Sequence, residues 1–456
     1  MSTTEQPNHP GAQGHGSEHG ASQAPVSTIP GWGPADRTGL TPTGGGVTAV
    51  PGFRAAGVTS GVKASGRPDL ALVAAAAPAG VAVVTTTNLV KASSCTWTEQ
   101  AAADGRARAV VINSGNANVC TPHGEEHTRA MAVAVAEHLT SAGTDRGDDA
   151  PREDPPGARA PDRVAATDVL VLSTGVIGVP LPVDRITGAV PELVGALATD
   201  GGPAAAEAML TTDTRTKQVA IEVDDGRGGR CTVGGMAKGV GMIEPAMATL
   251  LVVLTTDAPL SGPVCKQLLR GAVRPTFNRI SVDGDGSTSD TVALLASGTA
   301  PQPPGLELLQ RALHAVCAEL AHQVVADGEG ATRVAAITVG GAATETEAER
   351  LARAVATSLL VRAAIHGADP NWGRILMAMG TAGVSFDPRR VSVTCGGITV
   401  CRFGVAASFD RGQVAVAMDR DVVELGVDVG SGDATATVLT CDLTPEYVRF
   451  NAEYTT

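Results

Sequence analysis

The 456-residue chain carries a formal net charge of −13, with 43% hydrophobic but only 2% aromatic residues. That apolar content supports two or three domains or one large α/β unit, its core filled by Ala, Val and Leu. An acidic balance without a long basic run, few aromatics for base stacking and no apolar run near ~20 residues argue against nucleic acid and membrane as partners. The N-terminus lacks the charged-then-apolar order of a signal peptide. The eight cysteines are scattered without a CxxC pair, as expected of reduced thiols in a cytoplasmic protein.

Residues 1–45 are rich in Gly, Pro, Ser, Gln and His and read as a disordered tail, with order expected from Gly46 onward. Leu70 to Ala77 and Val81 to Thr85 read as two strands joined by a turn around Pro78 and Gly80, and Arg108 to Ile112 as a further strand. Helical spacing follows at 129–140. The stretch 143–163, dense in Asp, Arg, Pro and Gly, reads as a mobile surface insertion. Val169 to Leu172 delivers the Ser173-Thr174-Gly175 turn, a helix near 204–210 leads into Thr211-Thr212-Asp213-Thr214, and Gln218 to Val223 pairs with Arg230 to Val233.

Next comes the stretch Lys238 to Asp257. Its first half is marked by Gly239 and Gly241; its second half, Leu250 to Leu254, is a continuous apolar run suited to a strand buried on both faces. Thr249 stands at the junction, a hydroxyl where an exposed loop enters a rigid strand. Beyond it, helices are expected at 263–273, 305–325 and 344–365, with strands at Asn278 to Val282 and Val334 to Val339. Short strands and turns fill 390–442. Mixed strands and helices without a βα period point to an α/β sandwich or α+β layers.

Several motifs fail on inspection. His123-Gly-Glu-Glu-His127 matches HxxEH, but Pro122 and Gly124 disfavour a helix carrying both histidines, and no third ligand is evident, so no metal is expected. Asp283-Gly-Asp-Gly-Ser resembles a calcium loop but lacks its later Gly and Glu, which leaves a turn. GxGxxG, the phosphate loop and GxSxG are not met.

A family resemblance rests on many blocks in one order: Gly52-Phe-Arg-Ala-Ala-Gly57, Ser65-Gly-Arg-Pro-Asp-Leu-Ala71, Asn113-Ser-Gly-Asn-Ala-Asn118, Ser173-Thr-Gly-Val-Ile-Gly178, Thr211-Thr-Asp-Thr214, Gly234-Gly-Met-Ala-Lys-Gly239, Met247-Ala-Thr249, Phe277-Asn-Arg-Ile-Ser-Val-Asp-Gly284, Gly328-Glu-Gly-Ala-Thr332 and Gly367-Ala-Asp-Pro-Asn-Trp-Gly-Arg374. Over 46–456, the 143–163 insertion aside, the chain resembles the ornithine acetyltransferases, also called glutamate N-acetyltransferases, of the cyclic arginine pathway. The resemblance implies a layered sheet-and-helix sandwich of the N-terminal-nucleophile type over 46–300, with a smaller α/β domain over 301–456.

It further implies self-cleavage between Ala248 and Thr249, so that Thr249 becomes an N-terminal nucleophile. Its own α-amine, with an unperturbed pKa near ~8, would serve as base. Acetyl transfer from N-acetyl-L-ornithine to L-glutamate would follow a ping-pong course, with Thr174 and Gly175 as oxyanion donors. Thr212, Lys238, Thr249, Glu329, Asn451 and Thr456 are the implied substrate-binding positions. No cofactor is implied, although acetyl-CoA is an open alternative donor, and the assembly implied is an α2β2 heterotetramer. An N-terminal-threonine aminopeptidase or amidase, or a paralogue with another acceptor, would present the same Thr249. The chain departs from the family at Glu244-Pro-Ala246, Gly286 and Ser289. Glu244 adds a carboxylate near the nucleophile, with the reach to alter substrate preference.

Overall fold

The apolar run after Thr249 becomes the strand Leu251–Thr256, buried along its whole length, in a computed structural model that describes residues 29–144, 163–244 and 250–453. It pairs antiparallel with Arg230–Lys238 and parallel with Thr291–Ala296. Across the nine-stranded sheet the order is Leu40–Thr43, Lys217–Asp224, Arg230–Lys238, Leu251–Thr256, Thr291–Ala296, Leu70–Thr85, Arg106–Asn116, Val169–Val176, with Phe53–Val58 beside Leu70–Thr85.

Alternation along the strands makes three layers of contact. Val110, Ile112, Leu170 and Leu172 from one half of the sheet share an apolar cluster with Leu251, Val253, Ala293 and Leu295 from the other, so the halves pack face to face. The intervening residues point outward. Val252, Leu254, Val292 and Leu294 meet the helices Gly262–Val273 and Leu306–Ala326, while Val111, Val169 and Val171 meet Gly124–Thr144 and Val183–Gly195. This is the helix-sheet-sheet-helix sandwich that the resemblance implied.

A second, seven-stranded sheet runs Val405–Ala406, Ile398–Arg402, Ser392–Cys395, Val422–Asp428, Val334–Ala342, Ala434–Cys441, Ile280–Ser281. One face, through Val334, Ala336 and Leu439, rests on Leu306–Ala326, and the other packs on the helices that follow Ala342. A single apolar cluster therefore runs across position 300, and the helix Leu306–Ala326 is shared by both sheets.

Three local expectations are corrected. Residues 70–85 form one 16-residue strand, not two. Its pairing with Arg106–Asn116 shifts register between Ala74 and Ala79, so Pro78, which has no N–H to give, sits in the irregularity and the chain does not reverse. The expected helix 344–365 is broken into Glu345–Ala356 and Leu359–His366. Ser358 causes the break: its hydroxyl accepts from Val361 N (3.4 Å), capping a new helix where the old one could have continued. Order also begins before Gly46. Trp32 is buried and donates its indole N–H to Ala318 O (2.9 Å), and Leu40–Thr43 edges the large sheet. A lone tryptophan in a polar stretch was the readable sign. The 143–163 insertion lies almost wholly outside the described residues. Among the described residues no helix is long and apolar enough to cross a membrane, and all cysteines are free, all but Cys120 buried.

Candidate active site

Strand ends bring the chemistry together. Lys238, last residue of its strand, stands opposite Leu251 in the register, two residues beyond Thr249. Thr174 and Gly175 come from the end of Val169–Val176. They line a cavity of about 460 Å3 together with Thr212, Glu329, Asn451 and the 285–289 loop. Lys238 Nζ donates to Thr174 Oγ1 (3.3 Å). Since an ammonium can only donate, the hydroxyl proton of Thr174 stays available for another acceptor.

Gly175 has φ +128°, and a Cβ there would lie 2.3 Å from the backbone carbon of Gly115, its partner across the ladder. No side chain fits. Glu329 is clasped from two sides: Thr212 Oγ1 donates to Oε1 and Asn451 Nδ2 to Oε2, each at 3.0 Å. Gly241 makes room for this carboxylate, which lies 2.5 Å from where its Cβ would be. Asn451 reaches the site because the C-terminal helix Pro445–Glu453 returns to the cavity.

Beneath the cavity is a buried charge chain. Lys217 Nζ is 2.7 Å from Asp213 Oδ1 and 2.6 Å from Asp327 Oδ2. Asp213 also accepts from Gly239 N (2.8 Å). Burial would raise the Asp213 carboxyl, but Lys238 and Lys217 outweigh it and hold the group down to about 2. Burial pushes Lys238 below the usual lysine range, against the pull of Asp213. Lys217 is thus spent between two carboxylates. Among the described residues Lys238 makes no ion pair and keeps its charge for the cavity.

A sequence model of the ArgJ family matches residues 54–456. The chain belongs to the ArgJ family. The arginine biosynthesis bifunctional protein ArgJ of Mycobacterium tuberculosis is 45% identical over 415 residues, covering 90% of this chain and 96% of that protein. Its counterpart in Thermobifida fusca is 44% identical over 412 residues, covering 90% and 100%. A solved ornithine acetyltransferase complexed with ornithine, from M. tuberculosis, is 43% identical and covers 45% of this chain and 98% of that one, with a TM-score of 0.39. ArgJ membership makes this chain an enzyme of arginine biosynthesis, of the acetyltransferase class.

Among the family-implied positions, Thr174, Gly175, Thr212, Lys238, Glu329 and Asn451 line one cavity. Ala248, Thr249 and Thr456 lie outside the described residues. Glu244 pairs with Arg353 of the helix Glu345–Ala356 (3.4 Å) and is not among the described residues that line this cavity. His123 has φ +61° and precedes the helix that starts at Gly124, so it does not share a helical face with His127.

The Asp283–Asp290 loop does more than turn. Asp283 accepts from Met242 N (2.5 Å) and Ile243 N (2.8 Å), and Asp290 accepts from Leu250 N (2.9 Å). One loop thereby fixes the chain on both sides of 245–249. Burial holds both carboxyls above their ordinary range. Sequence reading weighed Asp283-Gly-Asp-Gly-Ser as a calcium loop or a turn, gave Asp290 no role, and held no sign of the clamp.

Proposed function

We propose that the chain is an autoproteolytically activated acetyltransferase that moves the acetyl group from N2-acetyl-L-ornithine to L-glutamate through an acyl-threonine at Thr249. The observation that carries this reading is one cavity with a free cation, Lys238, and a clasped carboxylate, Glu329, beside the strand that Thr249 precedes. Such a pair complements the carboxylate and the ammonium of N-acetylornithine.

Thr249 Oγ attacks the carbonyl carbon of the Ala248–Thr249 peptide; collapse of the intermediate breaks the C–N bond, the Oγ proton going to the nitrogen that becomes the α-amine, and water then hydrolyses the ester to leave the Ala248 carboxylate and the Thr249 hydroxyl. In turnover that amine accepts the Oγ proton as Oγ attacks the acetyl carbon. The oxyanion accepts hydrogen bonds from the Thr174 hydroxyl, whose proton is free because Lys238 engages only its oxygen, and from the Gly175 N–H. Collapse breaks the acetyl C–N bond and the base returns its proton to the departing ornithine nitrogen. Glutamate attacks the acyl-threonine by the same steps in reverse. The two fragments, 1–248 and 249–456, stay together, two copies of each in the assembly.

A denaturing gel with N-terminal sequencing tests the first half: two bands are expected, the smaller starting Thr-Leu-Leu-Val. An assay with N-acetylornithine tests the second half. Ornithine release should require glutamate; release at equal rate without it would make the enzyme an amidase.

A further inference from the structure

Two carboxylates of the 283–290 loop grip the chain, and only one of them is filled. Met242 N donates to Asp283 Oδ2, while Ile243 N and Asp285 N (3.2 Å) donate to its Oδ1. Asp290 is 0% exposed and takes one donor, Leu250 N on Oδ1 (2.9 Å). Its Oδ2 is buried and has no hydrogen-bond partner among the described residues. Burial pushes this carboxyl well above its ordinary range, against the pull of Leu250 N, the nearby Ser287 hydroxyl and Lys238. Holding Leu250 N does not call for such a group. A neutral amide oxygen would accept the same bond without the cost of burying a carboxylate with one oxygen bare.

The backbone around Asp290 is pinned. Thr86 N (3.0 Å) and Cys95 Sγ (3.5 Å) donate to Asp290 O, and Thr291 N donates to Leu250 O (3.0 Å). The carboxyl is therefore fixed against the start of the ladder between Leu251–Thr256 and Thr291–Ala296. Leu250 N belongs to the Thr249–Leu250 peptide, and standard bond lengths keep the Thr249 nitrogen within about 4 Å of it. The bare oxygen thus sits on a carboxyl anchored one peptide from the Ala248–Thr249 bond.

Self-cleavage needs a base that turnover does not. In turnover the α-amine accepts the Oγ proton, but before the cut that nitrogen is an amide whose lone pair is delocalised into the carbonyl. Lys238, as an ammonium, only donates, and it does so to Thr174. Glu329 is clasped by Thr212 and Asn451, and no histidine is among the described residues that line the first cavity.

We propose that Asp290 is the proton shuttle of self-cleavage, a catalytic role that rests on the acyl-threonine reading above. Oδ2 takes the Thr249 Oγ proton as Oγ bonds to the Ala248 carbonyl carbon, and gives it to the Thr249 nitrogen as the C–N bond breaks. The carboxylate is restored, and water hydrolyses the ester as before. A carboxyl raised toward working pH is suited both to accept and to return a proton. The other titratable groups that face it are Lys238 at the end of its strand and Cys95 on the helix Ser93–Ala101, whose thiol burial pushes up to about 12.

The test follows cutting of the freshly translated full-length chain on a denaturing gel. Asp290→Asn keeps an acceptor for Leu250 N but removes the shuttle, and should slow cutting by ~10²-fold or more. Asp290→Ala should be as slow, and added formate, a carboxylate small enough for the vacated space, should speed it about tenfold or more. In wild type the rate should rise with pH through one ionisation above the ordinary carboxylate range; that rise surviving in Asp290→Asn would belong to Lys238 and overturn the proposal. Cutting of Asp290→Asn within twofold of wild type, or no formate response in an Asp290→Ala chain that unfolds thermally like the uncut Thr249→Ala chain, also overturns it and leaves the acyl-threonine reading standing. If neither Asp290 variant folds, wild type decides: the rise supports the proposal, and a rate flat from about pH 5 to about 8 overturns it. A wild-type chain that stays whole would overturn the acyl-threonine reading, and this proposal with it.

Discussion

Asp213 lies beside the ends of the large sheet and Asp442 at the end of Ala434–Cys441 in the second, and both are buried carboxylates that gather several donors. Asp442 accepts from Thr332 N (2.8 Å), Thr332 Oγ1 (2.6 Å), Arg333 N (3.0 Å) and His366 Nδ1 (2.8 Å). Burial would raise its carboxyl, but these donors win and lower it. The buried Arg362 beside it spends itself on the backbone carbonyls of Cys441 (2.9 Å) and Asp442 (3.2 Å). Every donor there ends on the protein's own chain, and the cluster closes on itself. Around Asp213 one charge is left over, Lys238, and it faces a cavity. Buried charge alone marks nothing; buried charge with an unspent valence toward open space marks a site.

The largest test of that contrast is Thr249→Ala, which leaves both clusters intact. It should abolish cleavage on a denaturing gel and lower acetyl transfer by ~10⁴-fold or more, the scale of losing a catalytic nucleophile. Transfer within tenfold of wild type would mean that the Lys238 cavity serves another nucleophile.

Asp213→Asn comes next. Lys238 already sits below the lysine range, so its charge is lost early as pH rises, and Asp213 opposes that loss. Without Asp213 the alkaline arm of kcat/KM should move down by ~1 pH unit, with a higher KM for N-acetylornithine at pH 8 to 9. An unmoved arm would separate Lys238 from the substrate carboxylate. Stability carries the opposite sign. The Asp213 carboxyl, held at about 2, lies below its unfolded value, so its contribution is complete above the ordinary carboxylate pKa and disappears as pH falls through about 2. The variant should therefore lose stability at neutral pH and show a flatter acid-unfolding curve between pH 4 and ~2.

For Asp442→Asn the expectation is a stability loss of about 1–3 kcal/mol by denaturant titration, with kcat/KM per folded enzyme within about twofold. A selective fall in turnover would show that the second cluster is no mere fastening. Smallest of all should be Glu244→Gln. Because the carboxylate faces Arg353, kcat/KM for glutamate and its preference over aspartate should stay within about twofold. A changed acceptor preference would return Glu244 to the site.

Much of this was legible in the chain. The run Leu250 to Leu254 announced a doubly buried strand, and the block resemblance gathered Thr174, Gly175, Thr212, Lys238, Glu329 and Asn451 into one cavity. What escaped were contacts between segments far apart in sequence. Asp283 and Asp290 acquire their role only when Met242, Ile243 and Leu250 come against them, and Asp213 only when Lys238 arrives from its strand. Charge pairing at long range leaves no periodicity to read. Ser358 and Trp32, by contrast, were local signals outweighed by the composition around them.

The strand order has a consequence for a chain cut ahead of Thr249. Leu251–Thr256 and Thr291–Ala296 would belong to the downstream piece, yet they lie as a pair between Arg230–Lys238 and Leu70–Thr85 of the upstream piece, with a ladder on each outer side. The products of such a cut would be woven together, never having met as separate molecules. Parting them would mean unzipping two ladders through the middle of a packed sheet, so their association should be a matter of unfolding and refolding and not of dilution.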